Sequence, residues 1–541
     1  MNRLIMFFKN NYFLATALLM FLSCPSYDFI MLKLFFVFAW FSLVPLFNYV
    51  SGKPLKEVFF PAFVTGLIGN FLAYGWIGNF GAKVPGGYFV VLIFLIPSLT
   101  AFFTIKIVIS EFFSQKFPVY KIFIYPSVWI IIDFVQSIGF LAFPWCYIGY
   151  SQYPFTPFIQ MASVTGILGV NFLIVMFNIV FSKYTLSFNN GCKGIKDIFR
   201  NSYFTRVAFL LLLVFIITLS GFVRLQENNN RSNDSNGKTL KLALVQSCIS
   251  PWENWSANRY NYLSELMYYT RQSLNTNPDF IIWSESATLE LISFRAFRGE
   301  KDDFDGKLFD FIRESGKPLL TGEIGITVKR DDNGLKYSPQ NNAVLISGAG
   351  EVVQTYSKII LVPFGEWFPY EKWFVPVKQI VESFGGSDFV PGDKPELFQI
   401  NGMKFGSLIC YEGMFYRLIR QYRKMGADFM VYITNDGWTD KYNGHYQHYS
   451  AAVVRAVENG IWIVRAGNTG VTAIIDPAGR VKDSIPILKK GFLTGEIDSS
   501  RNVDTFYTAH GDLILYASML FIAVIMFMSV FNNLKGKRTK K

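Results

Sequence analysis

The sequence predicts two kinds of structure in one chain: an α-helical transmembrane bundle with about eight spans, and a soluble α/β domain. Of its 541 residues, 51% are hydrophobic and 18% aromatic, well above the composition of a soluble globular protein. The apolar runs lie at the two ends of the chain, and the middle has a mixed composition. A polar, Asn-rich stretch separates the first apolar region from this middle part. The change in composition therefore predicts separate membrane and soluble parts.

The predicted domain boundaries follow these changes. We expect a transmembrane bundle of about seven spans at 1–224, a polar linker at 225–238, a soluble domain at 239–505, and a transmembrane helix with a basic tail at 506–541. The spans are predicted near 5–23, 29–50, 57–79, 88–112, 121–139, 157–182, 207–223 and 512–531. Each is long enough to cross a hydrocarbon core of roughly 30 Å.

Basic residues predict the orientation of these spans. They occur before the first span and then in every second loop, and therefore on one side of the membrane, at Arg3, Lys9, Lys53, Lys56, Lys116, Lys183, Lys193, Lys196 and Arg200. The loops between these positions are almost free of Lys and Arg. By the positive-inside rule, both chain ends are cytoplasmic and the soluble domain lies outside the cytoplasm. The net charge of +12 then reflects the membrane topology and suits contact with anionic lipid surfaces. This interpretation disfavours nucleic acid as a partner.

The cysteines show neither disulfide spacing nor metal-ligand spacing. The chain contains 5 Cys and 3 His, and only Cys248 and Cys410 fall in the soluble domain. We therefore predict no metal site. Leu22-Ser23-Cys24 offers an alternative interpretation as a cleaved lipoprotein signal, but removal of the first span would break the alternation of charge.

The soluble domain alternates strand and helix patterns. Strands are predicted at 241–246, 279–283, 318–323, 342–347, 352–356, 404–409, 428–434, 461–466 and 471–476, and helices near 256–273, 303–315, 412–425 and 444–459. This alternation predicts an α/β layered domain. In such sheets, active groups gather at strand ends.

Cys410 is predicted to lie between a strand and a helix. Asn401-Gly402 is a hairpin-turn signal before the strand, and helical spacing runs from Glu412 to a stop at Gly426. A thiol near a helix N-terminus has a lowered pKa, which would favour the thiolate. The alternative is a buried structural cysteine.

Glu285, Lys358 and Cys410 each come just after a predicted strand. Individually, Glu285 could pair with a lysine, Lys358 could be solvated and Cys410 could be a core residue. Together they supply a base, a cation for a developing oxyanion and a nucleophile, as acyl transfer requires. We therefore predict that these three residues form an active site.

At these residues the chain resembles the nitrilase, or carbon-nitrogen hydrolase, superfamily, and its membrane spans make it most similar to apolipoprotein N-acyltransferases. The matching motifs are Phe143-Pro144-Trp145, Gly149-Tyr150-Ser151-Gln152, Gly169-Val170-Asn171, Trp283-Ser284-Glu285, Tyr356-Ser357-Lys358, Leu361-Val362-Pro363-Phe364-Gly365-Glu366, Cys410-Tyr411-Glu412, Asn435-Asp436-Gly437-Trp438 and Asn468-Thr469-Gly470-Val471-Thr472. Three positions depart from the family pattern, Ser284, Ser357 and Ala466-Gly467, and none of them is a triad residue.

The resemblance implies an αββα sandwich and a role for each residue. Glu285 would be the general base, Lys358 the oxyanion stabiliser and Cys410 the nucleophile. Further residues implied are the supporting carboxylates Glu366 and Glu412 and the lipid-binding side chains Trp438, Trp367, Phe368 and Tyr411. The aromatic stretch that begins at Trp367 is expected to form a lid that dips into the bilayer.

The implied reaction is ping-pong transfer of a fatty acyl chain. A phospholipid would acylate Cys410, and the α-amino group of a lipoprotein's diacylglyceryl-cysteine would take the chain from the thioester. The resemblance implies no cofactor, a monomer, and a multi-pass protein of the bacterial inner membrane with its catalytic domain on the periplasmic side.

Two alternatives remain open at this point. One is a membrane-tethered carbon-nitrogen hydrolase for a small substrate. The other is a transporter or scaffold with an inactive external domain. A transporter predicts charged groups within the spans, for which Lys106 and Asp133 are the clear candidates.

Overall fold

The computed structural model describes residues 11–25, 34–81, 91–139, 142–145, 147–191, 202–230, 237–331, 334–367, 388–439 and 442–538. The chain divides into two compact units. One comprises Met1–Gly78, Tyr88–Arg224 and His510–Lys541, and the other comprises Asn79–Gly87 and Leu225–Ala509.

The first unit is helical. Its α-helices are Tyr12–Ser23, Val44–Val50, Leu55–Tyr74, Ile96–Lys116, Lys121–Val135, Thr156–Ile159, Ala162–Gly191, Ser202–Asn230 and Leu513–Arg538, with shorter helical turns between several of them. Among the described residues, six segments are long and apolar enough to cross a membrane: Leu55–Gly78, Val91–Lys116, Pro118–Val135, Ala162–Ser187, Ser202–Asn230 and Leu513–Asn532. The chain is thus a multi-pass membrane protein.

The first two predicted spans correspond to shorter apolar helices, Tyr12–Ser23 and Leu34–Val50. The residues that would lengthen them, 1–10 and 26–33, lie outside the described residues. Eight spans therefore remain a prediction.

The predicted span at 157–182 differs in detail. A short helix, Thr156–Ile159, precedes the long helix Ala162–Gly191, which is kinked at Gly166. Gly166 has φ +66°, a left-handed conformation that glycine adopts without steric cost. Local backbone geometry, which an apolar run does not reveal, divides this segment.

The predicted linker is partly wrong, because the helix Ser202–Asn230 continues into it. Arg480 Nη2 donates a hydrogen bond to Asn228 Oδ1 at 2.8 Å, and Asn228 Nδ2 donates to the Arg501 carbonyl at 3.1 Å. Polar residues that signal a loop are here satisfied by tertiary partners, so the helix persists. Residues 231–236 lie outside the described part of the chain.

Charged side chains inside the helical unit are paired. Lys106 Nζ lies 2.5 Å from Asp133 Oδ1, and Asn171 Nδ2 donates to Asp133 Oδ2 at 2.7 Å. A second pair joins Lys121 Nζ to Glu111 Oε2 at 2.7 Å. All four charged groups are buried. Mutual pairing between helices favours a packing role over the transport path of the transporter hypothesis.

The second unit contains two six-stranded sheets. Their strands are β1 Thr239–Gln246, β2 Phe280–Ile282, β3 Leu319–Asp331, β4 Gly334–Ile346, β5 Val352–Ser357, β6 Leu397–Ile400, β7 Met403–Ile409, β8 Phe429–Thr434, β9 Trp462–Gly467, β10 Thr472–Ile475, β11 Val481–Ile485 and β12 Gly491–Asp498. The sheet orders are β12-β1-β2-β3-β4-β5 and β11-β10-β9-β8-β7-β6. Within them β1–β2–β3 and β7–β8–β9 are parallel and the other pairings are antiparallel.

The two sheets face each other, with β1 in contact with β9 and β4 in contact with β7. The α-helices of this unit are Trp255–Leu274, Ile292–Arg298, Asp303–Ser315, Tyr416–Lys424, Tyr442–Asn459 and Phe506–His510. Buried Leu266 and Phe311 of two helices pack with Ile281 and Val344 of the first sheet. The helix Tyr442–Asn459 contacts β9 of the second sheet. These layers form the predicted αββα sandwich.

The predicted hairpin turn before β7 is confirmed. Asn401 and Gly402 connect β6 to β7 with φ +43° and +77°, as a two-residue hairpin turn requires.

The strands β6, β11 and β12 were not predicted. β11 is a largely exposed edge strand without an apolar pattern, and β12 pairs with β1 from the far end of the domain.

Candidate active site

Strand direction brings two of the three predicted triad residues to one edge of the first sheet, and the third, Cys410, follows β7 of the second sheet. Glu285 follows β2, and Lys358 follows β5 directly. Because β4 is antiparallel to both β3 and β5, β5 runs in the same direction as β2. Glu285 and Lys358 therefore emerge at the same edge.

Lys358 lies between two carboxylates. Its Nζ is 2.8 Å from Glu366 Oε1 and 3.6 Å from Glu285 Oε1. The side chains of Lys358 and Glu285 are only 1% and 5% exposed. Val362 N donates to Glu366 Oε2 at 2.8 Å, so Glu366 is itself anchored. One ammonium thus faces two carboxylates in a site shielded from water.

Two asparagines that sequence reasoning did not select orient the carboxylates. Asn341 Nδ2 donates to both Glu285 Oε1 and Glu366 Oε1, each at 2.8 Å. The backbone N–H of Asn435 donates to Glu285 Oε2 at 2.7 Å. Asn341 could have been found from its place in a strand that becomes buried at that point, since a buried amide needs partners.

Glu412 is fully buried and ties together the segments that follow Lys358 and precede Cys410. Its Oε1 accepts hydrogen bonds from Tyr356 Oη at 2.8 Å and from the backbone N–H groups of Ile359 at 2.7 Å and Ile360 at 3.2 Å. Its Oε2 accepts from Ile409 N at 2.9 Å. This geometry suits a supporting role.

Cys410 lies between a strand and a helix, as predicted, but the α-helix does not begin at Glu412. Cys410 opens a short 3-10 turn, Cys410–Met414, and the α-helix begins at Tyr416 and ends before Gly426, whose φ is +96°. Cys410 itself has φ +52°, a left-handed conformation that β7 could not continue. The predicted lowering of the thiol pKa is wrong, because burial raises the pKa of Cys410.

Electrostatics point to a resting thiol instead. Burial raises the pKa of the Cys410 thiol, the Glu285 carboxylate raises it further, and Lys358 opposes both. Such a thiol needs a base before it can attack.

Glu285 is suited to be that base. Burial raises the pKa of Glu285, Lys358 lowers it, and the like charge of Glu366 raises it. Burial alone would lower the pKa of Lys358, but Glu366 and Glu285 more than offset this, so its pKa lies above the ordinary value and it stays cationic. The site therefore combines a carboxylate with raised proton affinity and a fixed positive charge.

The proposed lipid-binding side chains differ in exposure. Tyr411 is 6% exposed, and its ring packs edge-on against Phe415 at 5.2 Å. Trp438 is 37% exposed and lies 5.5 Å from the Trp252 ring. Trp367 is half-buried. Phe368 and the remainder of the predicted lid lie outside the described residues.

One cluster offers metal-ligand atoms. Cys410, Asp436 and His448 each present one such atom, all within 4.8 Å of one another. Both His448 nitrogens and both Asp436 oxygens already have protein partners, so a cation would have to displace those contacts. We assign no metal role to this cluster.

Comparison with known families divides the chain in the same way. Residues 241–505 match the carbon-nitrogen hydrolase family model. Residues 16–180 match the model of the apolipoprotein N-acyltransferase N-terminal domain.

Similar proteins match along most of the chain. It is 29% identical to an apolipoprotein N-acyltransferase of Geobacter metallireducens, with 90% of each chain covered. It is 28% identical to apolipoprotein N-acyltransferase 1 of Treponema denticola, with 98% of this chain and 99% of that protein covered. A solved structure, an amidase from Nesterenkonia sp., matches at 18% identity and a TM-score of 0.37 over 52% of this chain and 96% of that one. The chain thus joins an apolipoprotein N-acyltransferase N-terminal domain to a carbon-nitrogen hydrolase domain, and it is similar to apolipoprotein N-acyltransferases along nearly its whole length.

Proposed function

We propose that this protein transfers a fatty acyl chain from a phospholipid, through a thioester on Cys410, to the α-amino group of the N-terminal diacylglyceryl-cysteine of lipoproteins. The observation that carries this proposal is the buried cluster of Lys358 with two carboxylates beside the Cys410 thiol. The match to both family domains supports the lipid substrates.

In the first step, Glu285 takes the Cys410 proton while the sulfur attacks the ester carbonyl of the phospholipid. Negative charge then develops on the carbonyl oxygen, where Lys358 and a backbone N–H stabilise it. When the C–O bond breaks, Glu285 returns the proton to the departing glycerol oxygen. A lysophospholipid leaves and the acyl chain remains on Cys410.

In the second step, the neutral α-amino group attacks the thioester. The C–N bond forms, the C–S bond breaks, and Glu285 accepts the proton that the amine loses and restores the Cys410 thiol. A free α-amino group titrates near pH 7.7–8.0, so a substantial fraction is neutral at ordinary pH. A thiolate is also a better leaving group than an alkoxide, which favours aminolysis of a thioester.

Glu366 and Glu412 position other groups of the site and do not themselves form or break covalent bonds. Glu366 fixes the Lys358 ammonium at 2.8 Å, and Glu412 fixes the backbone before Cys410. Asn341 bridges Glu285 and Glu366 by donating a hydrogen bond to each. The like charges can then coexist beside one lysine.

Lipid substrates also constrain the surroundings of the site. Removing an acyl chain from the bilayer costs about 0.8 kcal/mol per CH₂, so we propose a site that opens at membrane level, covered by the aromatic lid that begins at Trp367. The periplasmic orientation follows from the distribution of basic residues, and we propose a monomer with eight spans.

The test is the intact mass of the purified protein after incubation with phospholipid vesicles. Wild type should gain a fatty-acyl adduct that hydroxylamine removes, and Cys410→Ala should gain none. Cys248→Ala is the matched control, because Cys248 is the other described cysteine of the catalytic unit and should not carry the adduct.

Absence of an adduct on folded wild type would contradict the proposal. Release of ammonia from small amides by the same preparation would then identify the protein as a membrane-tethered carbon-nitrogen hydrolase.

A further inference from the structure

The backbone of Cys410 is strained and has a specific partner. Its φ of +52° lies in the left-handed region, where a residue with a side chain costs roughly 1–3 kcal/mol unless its surroundings fix it. The Cys410 carbonyl oxygen is 3.0 Å from Nε2 of His448. His448 belongs to the helix Tyr442–Asn459 and is 2% exposed.

The second nitrogen of the His448 ring, Nδ1, also has a partner. Nδ1 lies 2.8 Å from Asp436 Oδ1, and Arg465 Nη2 donates to Asp436 Oδ2 at 2.6 Å. Arg465 is fully buried on β9 and also donates to the Val471 carbonyl. Burial alone would raise the pKa of Asp436, but Arg465 and His448 hold it well below its usual range. Asp436 is thus an ionised acceptor.

These contacts define one proton on the imidazole. A backbone carbonyl only accepts hydrogen bonds, so the contact with the Cys410 carbonyl requires a hydrogen on Nε2. Nδ1 faces both the Asp436 oxygen, at 2.8 Å, and Arg465 Nη2, at 3.3 Å.

We propose that His448 is a positioning residue that holds the nucleophile in place: its Nε2–H fixes the Cys410 carbonyl in the left-handed turn, while Asp436 and Arg465 fix the ring. The turn decides where the Cys410 sulfur points relative to Glu285 and to the attacked carbonyl. A displacement of about 1 Å at a reacting atom can cost roughly 10²-fold in rate. The Cys410 sulfur, an Asp436 oxygen and a His448 nitrogen lie within 4.8 Å of one another. A change in the position of the ring should therefore change the position of the sulfur.

Two neutral amide variants separate the contacts of the two ring nitrogens. The amide nitrogen of Gln can occupy the position of Nε2 and keep the bond to the Cys410 carbonyl, whereas that of Asn occupies the position of Nδ1 and keeps only the bond to Asp436. Both variants remove the imidazole ring, so each controls for the other. The readouts are single-turnover acylation of Cys410 by phospholipid vesicles, with its dependence on lipid concentration, and alkylation of Cys410 by iodoacetamide, followed at the peptide level.

The positioning role predicts that His448→Asn lowers both the maximal acylation rate and the alkylation rate by about 10- to 100-fold. The half-saturating lipid concentration should stay near that of wild type, because His448 is buried and is not among the side chains proposed to bind lipid. His448→Gln should retain both rates within a few fold. Alkylation needs no lipid, so the inference stays testable even if wild type forms no acyl adduct and the proposed acyltransferase activity fails.

Three outcomes would overturn the inference. Equal loss in both variants would assign the effect to loss of the ring and not to loss of the Nε2–H contact. Unchanged rates in both, with lower thermal stability, would make His448 a purely structural residue. If His448→Asn does not fold, His448→Gln alone decides, since a loss of more than about 10-fold in that variant contradicts a role that the amide preserves.

Discussion

Each unit of this protein buries a lysine beside a carboxylate, and the two sites differ in their balance of charge. In the helical unit Lys106 is paired with Asp133 at 2.5 Å, and Asn171 donates to the second carboxylate oxygen. In the catalytic unit Lys358 faces both Glu366 and Glu285, at 2.8 and 3.6 Å. The formal charges of the first cluster sum to zero, whereas the second cluster contains one more carboxylate than ammonium group.

The difference accounts for the roles that we propose for the two sites. A matched buried pair specifies how two helices pack. A surplus carboxylate in a site shielded from water has raised proton affinity, and the nearby Cys410 thiol can supply the proton. The same burial that makes an unpaired charge costly therefore suits Glu285 to the role of base that we propose.

The largest expected effect comes from removing the surplus charge. Glu285→Gln leaves Lys358 matched by Glu366 alone, so we expect acyl transfer to fall by roughly 10²- to 10⁴-fold, the usual contribution of a general base. The fold should be largely kept, because Lys358 still has a partner. Single-turnover acylation and thermal unfolding in detergent measure the two effects.

Asp133→Asn is the matched change in the helical unit. Among the described residues the structure places no second carboxylate beside Lys106, so this variant leaves a buried charge uncompensated and should lose about 3–5 kcal/mol of stability. If Glu285→Gln proved the less stable of the two, the distinction between matched and surplus charge would be wrong.

Exchanging the lysines sharpens the same contrast. Lys358→Met removes the oxyanion cation, and we expect a rate loss of roughly 10²- to 10³-fold per folded molecule. Lys106→Met should lower stability by about 3–5 kcal/mol while the remaining folded protein keeps its rate. Activity normalised to folded protein, measured on both variants, distinguishes these results.

Second-site changes provide the control. Adding Asp133→Leu to Lys106→Met replaces a broken ion pair with an apolar contact and should recover stability. Adding Glu366→Leu to Lys358→Met should recover no activity. A return of activity in the second double variant would show that Lys358 serves only to neutralise Glu366.

Much of this site is visible in the sequence because strand patterns are local. The buried strands ending near Trp283, Ser357 and Ile409 place the three triad candidates at strand ends, and the Asn401-Gly402 turn sets the register of β7. Layered α/β packing then predicts that such ends lie near each other. The roles of the three residues remain predictions.

The rest depends on contacts between distant parts of the chain. Asn341 is separated by β3 from Glu285 and by β5 from Glu366, the two carboxylates it orients. His448 reaches Cys410 from a helix that follows a further strand. The local spacing of residues in the sequence does not predict such pairings. The 3-10 turn after Cys410 was also missed, because the helical spacing begins before the helix itself does. Apolar periodicity reports which face is buried, not where hydrogen bonds of the helix start.

The smallest expected effect concerns a buried carboxylate without a reaction partner. Burial raises the pKa of Glu323 to about 7, although Ser293 donates to it through its hydroxyl and its backbone N–H. Because the folded-state pKa exceeds the unfolded value of about 4.3, the contribution of Glu323 to stability is fully present below that value. It is lost as the pH rises through about 7.

Glu323→Gln should therefore flatten part of the fall in stability between about pH 4 and 7, by an amount on the order of 3 kcal/mol. Denaturant titrations across this range measure it. Glu314→Gln is the control, because that side chain is 71% exposed and should leave the profile unchanged. Acyl transfer should be the same in both variants, since neither carboxylate contacts the triad. A Glu323 variant that lost activity with the pH dependence of Glu285 would place Glu323 within the proton-transfer network, and the surplus charge of the catalytic cluster would then have to be counted over three carboxylates.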